Sequence, residues 1–320
     1  MGPAGPARYA ILVAGEPDET ICASKGTFEQ MFLDLLAEQP LSVTASSGSA
    51  RAAASVGDNS SDHPAAAAVG TAGAAPPAEE WRVYFAFKGE LPTTEELASF
   101  KGIVITGSVA DAFGSDPWLL NLRATVKAAI ERRTRVLGVC FGHQLVGCTL
   151  GARVGRAGCW EVGARQVAVA PEARERLAAE GAGWARLLPD ALCLHEFHQD
   201  QVLEVPPGAT LLASSQRCPV EMYTVGDHVL CIQGHPEFDR EVVEQLAAPR
   251  LAAIGKADVQ RMQQLLEEVP VAQQAQQLAR SMLFIDSPLA SLPLLQSLEE
   301  VPVAQQAQQL QRICRAFLKG

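Results

Sequence analysis

Short apolar runs alternate with stretches of helical apolar spacing through most of the chain. "RYAILVAG" from Arg8 closes on a glycine, and "FEQMFLDLLAEQ" after it spaces its apolar residues at helical intervals, which predicts a strand followed by a helix. "EEWRVYFAF" predicts a further strand, and "TTEELASF" a short capped helix. "KGIVITGS", "WLLNLRATVKAAIERR", "TRVLGVC" and "FGHQLVGCTLGA" then read strand, helix, strand, helix. Apolar strands alternating with helices predict an α/β fold whose mostly parallel sheet is covered on both faces, with sites at the carboxyl ends of strands. From "ARQVAVA" onward strands become more frequent, and Val225-Gly226-Asp227 predicts a hairpin turn.

Two stretches break this pattern. At about residues 42–79 the composition collapses into Ala, Ser, Gly and Pro. Such a segment cannot repay its ordering entropy and reads as a disordered insertion, tolerated because lengthening a loop costs little. After residue 255 comes a C-terminal extension, 256–320, in which "EEVPVAQQAQQL" occurs at Glu267–Leu278 and again at Glu299–Leu310. Two copies are too few for a solenoid, so a local duplication forming amphipathic or partly disordered helices is expected rather than an oligomerisation module. The main domain is thus expected to span residues 1–255.

At 320 residues and 48% hydrophobic composition the chain can bury a full core. A net charge of -10 without a clustered Lys/Arg stretch argues against nucleic acid as a partner. No apolar run reaches membrane-spanning length, and the first residues read as a tail and first strand rather than a leader. The eight cysteines show neither a CxxC nor zinc-like paired spacing, which fits a reducing, cytoplasmic setting.

One cysteine stands apart. In "RVLGVCFGHQLVG", Gly138, Cys140 and Gly142 form G-x-C-x-G at a predicted strand-to-helix junction, the pattern of a nucleophile elbow. The glycines remove side chains that would collide with the neighbouring strand and helix. A thiol at a helix N-terminus also faces the positive end of the dipole, which favours thiolate, the nucleophilic form. A buried core cysteine between small residues would look the same. What tips the reading is "CIQGHPEF": His235 follows an apolar run, and Glu237 lies two residues on, so in an extended segment it projects to the same side and can hold the imidazole.

These residues carry a family resemblance. "GVCFGHQL" with a downstream "GHPE" resembles class I glutamine amidotransferases, in which the cysteine, histidine and glutamate form a triad. "GSVADAFGSDPWLLNL", "HQDQVLEVPPGATLLASS" and "VEMYTVGDHVLCIQGHPEF" further resemble the plant gamma-glutamyl peptidases. The resemblance covers about Arg8 to Leu246 and implies a three-layer flavodoxin-like fold with a Cys140–His235–Glu237 triad. It also implies that Gly107, in "ITGS", joins the Phe141 amide in an oxyanion hole, and that Gln144, His198 and Asp200 contact a gamma-glutamyl substrate. The chain departs from the pattern at Val109, where many members have proline, and matches loosely around Ala23 to Phe28.

The expected reaction is cysteine-dependent hydrolysis of gamma-glutamyl amide bonds in glutathione or its conjugates, through a thioester and without a cofactor. Two alternatives stay open. One is a glutaminase subunit that hands ammonia to a partner synthase, and the other is a catalytically silent binding relative. "HEFH", His195 to His198, lacks the spacing of a zinc-protease motif and shows no third ligand, so no metal is expected.

Overall fold

Alternate residues of the first strand part to opposite sides of one sheet, as a strand buried on both faces requires. A computed structural model describes residues 5–38, 41–45, 79–250, 254 and 303–320. In β1 (Ala7–Val13), Tyr9, Ile11 and Val13 face one apolar cluster, while Ala10 and Leu12 face another. The first cluster takes in α2 (Phe28–Leu36), α6 (Pro171–Ala179) and α8 (Val303–Lys319). The second takes in α3 (Thr94–Ser99), α4 (Pro117–Glu131) and α5 (Phe141–Thr149). The result is the three-layer α/β arrangement expected from the sequence.

The ten strands described are ordered β2-β3-β1-β4-β5-β10-β9-β8-β6-β7. The half formed by β2 (Leu41–Ala45), β3 (Glu79–Phe85), β1, β4 (Gly102–Ile105), β5 (Arg135–Val139) and β10 (Val229–Ile232) is parallel throughout. The other half, β9 (Met222–Val225), β8 (Thr210–Ser214), β6 (Val154–Val169) and β7 (Ala191–Val202), is antiparallel. The Val225-Gly226-Asp227 turn joins β9 to β10, with Gly226 at φ 54°. A third, smaller cluster holds α1 (Glu19–Lys25) and α7 (Arg240–Ala247) together through Ile21, Val242, Val243 and Leu246. Among the described residues no helix is long and apolar enough to cross a membrane.

Two features differ from expectation. Leu41–Ala45 lies inside the stretch whose composition reads as disordered, yet it forms edge strand β2, paired in parallel with β3. Its order comes from the backbone ladder rather than from burial, since Val43, Thr44 and Ala45 are exposed. Residues 46–78 lie outside the described residues, as does the first copy of the duplicated segment. The second copy runs into α8, and this helix is no separate extension: Leu310, Ile313, Cys314, Phe317 and Leu318 are buried in the main core. Arg315 donates to the carbonyls of Leu35 and Ala37, and Lys319 pairs with Glu79.

Candidate active site

Three adjacent parallel strands, β4, β5 and β10, end side by side, and the chain leaving each end carries one part of the site. Thr106 and Gly107 follow β4, Cys140 follows β5, and the segment to His235 and Glu237 follows β10. Cys140 is buried, at φ 52° and ψ -102°, one of two non-glycine residues with positive φ among those described. Such a backbone is strained and persists only where its surroundings over-determine it. Here the Cys140 N–H donates to the Ile232 carbonyl (2.9 Å), and the Cys140 carbonyl accepts from Gln144 N–H (3.0 Å).

Both flanking glycines are required by close backbone approach. A Cβ on Gly138 would lie 2.7 Å from the Gly142 carbonyl oxygen, and one on Gly142 would lie 2.5 Å from that of Ile105. Cys140 is the N-cap of α5 without capping it through its side chain, so the first amides of the helix have no partner within it. Gly107 faces the same point, because a Cβ there would lie 3.1 Å from His235 Cε1 and 4.0 Å from Cys140 Cβ.

The His235 imidazole is buried, with Nδ1 2.7 Å from Glu237 Oε1. Its ring stacks on Phe238 at 3.9 Å and 4° between planes, and its backbone N–H donates to the His195 carbonyl at 2.8 Å. Burial works against the imidazolium, but the Glu237 carboxylate and the Cys140 side chain outweigh it and hold the His235 pKa well above its ordinary value. A thiol, an imidazole and a carboxylate joined in this order supply a nucleophile, a proton acceptor and a group that fixes the acceptor's tautomer.

Gln144 is buried rather than solvent-facing, and its side-chain amide donates to the Asp200 carbonyl (2.7 Å) and to Gln233 Oε1 (3.2 Å). His198 is also buried, with Nδ1 3.2 Å from the same Asp200 carbonyl. Burial, the first cause, and Asp111 raise the Asp200 carboxyl pKa against the pull of Arg156. Arg156 pairs with both Asp111 (2.9 Å) and Asp200 (3.3 Å), tying the loop after β4 to the end of β7. Val109, on that loop, is largely exposed. Sequence reasoning does not reach Arg156, Phe238 or the buried carboxylates Glu196 and Glu221. Phe238 closes "HPEF" and Glu196 lies within "HEFH", yet neither pattern assigns them a role, and Arg156 and Glu221 had no local signal.

Residues 83–245, just over half the chain, match the family "Glutamine amidotransferase class-I". The chain belongs to that family. Gamma-glutamyl peptidase 3 of Arabidopsis thaliana is 39% identical over 170 residues, covering 52% of this chain and 67% of the relative. Gamma-glutamyl peptidase 5 of the same plant is 37% identical over 169 residues, covering 52% and 66%. A glutamine-hydrolyzing GMP synthase subunit from Thermococcus kodakarensis is 31% identical over 148 residues, covering 46% and 74%. The chain therefore spans about two thirds of the length of the plant relatives. Crystal structures of glutamine amidotransferases from Methylobacillus flagellatus (TM-score 0.54, 17% identity, covering 98% of this chain and 94% of that one) and Thermotoga maritima (0.51, 18%, covering 76% and 88%) share the fold.

Proposed function

We propose that this class-I glutamine amidotransferase-type protein is a cysteine-dependent hydrolase of gamma-glutamyl amide bonds, acting on glutathione or its conjugates. The observation that carries the reading is Cys140 on its strained bend, coupled to an imidazole whose other side Glu237 holds at 2.7 Å. The plant relatives named gamma-glutamyl peptidases support the substrate class.

With Nδ1 held by Glu237, Nε2 is the nitrogen left to take the Cys140 proton. The thiolate attacks the gamma-glutamyl carbonyl, and the amides of Gly107 and Phe141 receive the oxyanion, each worth about 3 to 4 kcal/mol in comparable sites. His235 then protonates the leaving amine. The gamma-glutamyl group remains on the sulfur as a thioester, and water, deprotonated by His235, releases glutamate. Gln144, His198 and Asp200 shape the pocket for the gamma-glutamyl moiety, His198 acting through the Asp200 carbonyl it bonds.

The test is turnover of glutathione, an S-conjugate and glutamine by the purified full-length chain, beside Cys140→Ser. Hydrolysis of the peptide bond by the chain alone, absent in Cys140→Ser, is the expected result. Glutamine hydrolysis that appears only when a separate synthase is added would replace this reading with the glutaminase-subunit one. Failure of a glutamine-like electrophile to label Cys140, read by mass spectrometry, would favour a silent binding relative.

A further inference from the structure

Behind His235 lies a second group of ionisable side chains, of which the proposed chemistry uses only His198, and that through Nδ1 rather than Nε2. Glu196 and His198 are two residues apart on β7 and so project to one side of the strand. Glu221 comes from a distant part of the chain, just before β9. Its backbone is fixed on both sides: its N–H donates to the Ala213 carbonyl (3.0 Å), and its carbonyl accepts from Gln233 N–H (2.8 Å). Glu196 is 0% exposed, Glu221 1% and His198 4%. One ligand atom from each lies within 4.8 Å of the others.

The bonding in this group is incomplete. Both Glu196 oxygens, His198 Nε2 and Glu221 Oε2 are buried without a hydrogen-bond partner. The cationic neighbours are already engaged: Arg165 (3.2 Å) and Arg217 (2.6 Å) both pair with Glu161, and His235 with Glu237 (2.7 Å). His198 Nδ1 faces the Asp200 carbonyl at 3.2 Å, and a carbonyl only accepts, so a neutral ring carries its proton on Nδ1. Nε2 then presents a lone pair to Glu196 Oε2 at 3.1 Å. Two lone pairs at that distance require something positive between them. One proton answers that pair and leaves the second Glu196 oxygen and Glu221 Oε2 unanswered, whereas a divalent ion answers all three side chains at once.

We propose that Glu196, His198 and Glu221 form a binding site for a divalent transition-metal ion of the zinc class. One imidazole and two carboxylates form a ligand set that Zn²⁺ takes at about 2.0–2.2 Å. The ion braces the catalytic segment. Glu196 Oε1 lies where a Cβ on Gly234 would come within 2.5 Å, and Gly234 precedes His235. The "HEFH" stretch thus supplies two ligands and its missing third comes from Glu221, which no local spacing announces.

The test uses full-length protein carrying Cys140→Ala, because a cysteine sulfur beside His235 can itself bind zinc. This protein is stripped with a chelator and titrated with ZnCl2 by calorimetry, with melting temperature and zinc X-ray absorption measured in parallel. Expected are one zinc per chain, a raised melting temperature, a nitrogen/oxygen-only first shell, and affinity at least about a hundredfold weaker in Glu196→Gln/Glu221→Gln on the same background. Absence of zinc uptake, a sulfur-containing shell, or equal affinity in the glutamine variant would each overturn the proposal. If the glutamine variant does not fold, the stoichiometry and ligand shell of the Cys140→Ala protein decide the matter.

Discussion

Cys140 shows how far a single residue's surroundings can be read from sequence. Glycines two before and two after a cysteine mark the places where a Cβ would meet backbone oxygens at 2.7 and 2.5 Å, and spacing alone exposes that constraint. Gly142→Ala drives a methyl into the Ile105 carbonyl, which cannot move without disturbing β4. We expect it to lower stability by about 1–3 kcal/mol in denaturant unfolding and to displace Cys140 enough to reduce turnover. Glu237→Gln keeps the shape but removes the charge that holds the imidazolium. Its kcat should fall by about two to four orders of magnitude, and the His235 ionisation followed by NMR should move down. His235 and Glu237 were legible because they sit two apart in an extended segment. Phe238, stacked flat on the His235 ring, was not, because an aromatic residue after "HPE" looks like any other core residue.

Among the elements, apolar runs disclosed the parallel strands well, since these are buried on both faces and need no alternation. The edge was harder. β2 is short and exposed at Val43, Thr44 and Ala45, and its low-complexity neighbours hide a strand that rests on β3's hydrogen bonds. The last helix was hard to place for a related reason: a duplicated sequence reads as an extension, with no sign of the surface it packs on. Its buried face starts at Leu310, the last residue of the shared segment, and lies mostly beyond it, at Ile313, Cys314, Phe317 and Leu318. Phe317 packs edge-on against Trp184, at 5.5 Å between ring centres. Phe317→Ala should therefore cost about 3–5 kcal/mol of stability, whereas Arg312→Ala, on the exposed face, should stay within about 0.5 kcal/mol. Chemical denaturation of the full chain distinguishes the two outcomes.

At the scale of the whole molecule, burial couples folding to protonation. His143 lies on α5, fully enclosed, and burial, the main cause, together with nearby His198 lowers its pKa to about 3. An unfolded chain takes up this proton near pH 6.5, while the native ring resists it until about pH 3. The stabilisation is thus complete above pH 6.5 and is lost as the pH falls towards 3. Stability measured down this range should decline less steeply in His143→Gln than in the parent chain. Single-sequence reading could not find this, because the same histidine on an exposed helix face would titrate normally.

The three segments that form the reactive corner leave one hydrogen-bonded ladder side by side, although they lie at residues 107, 140 and 235. Catalytic regions are often drawn from the loosest parts of a fold. The corner proposed as catalytic is anchored at the ends of three central strands, so its amide protons there should exchange only through global opening. Loss of activity in rising denaturant should then coincide with the fluorescence change of buried Trp81, with no folded but inactive species between them.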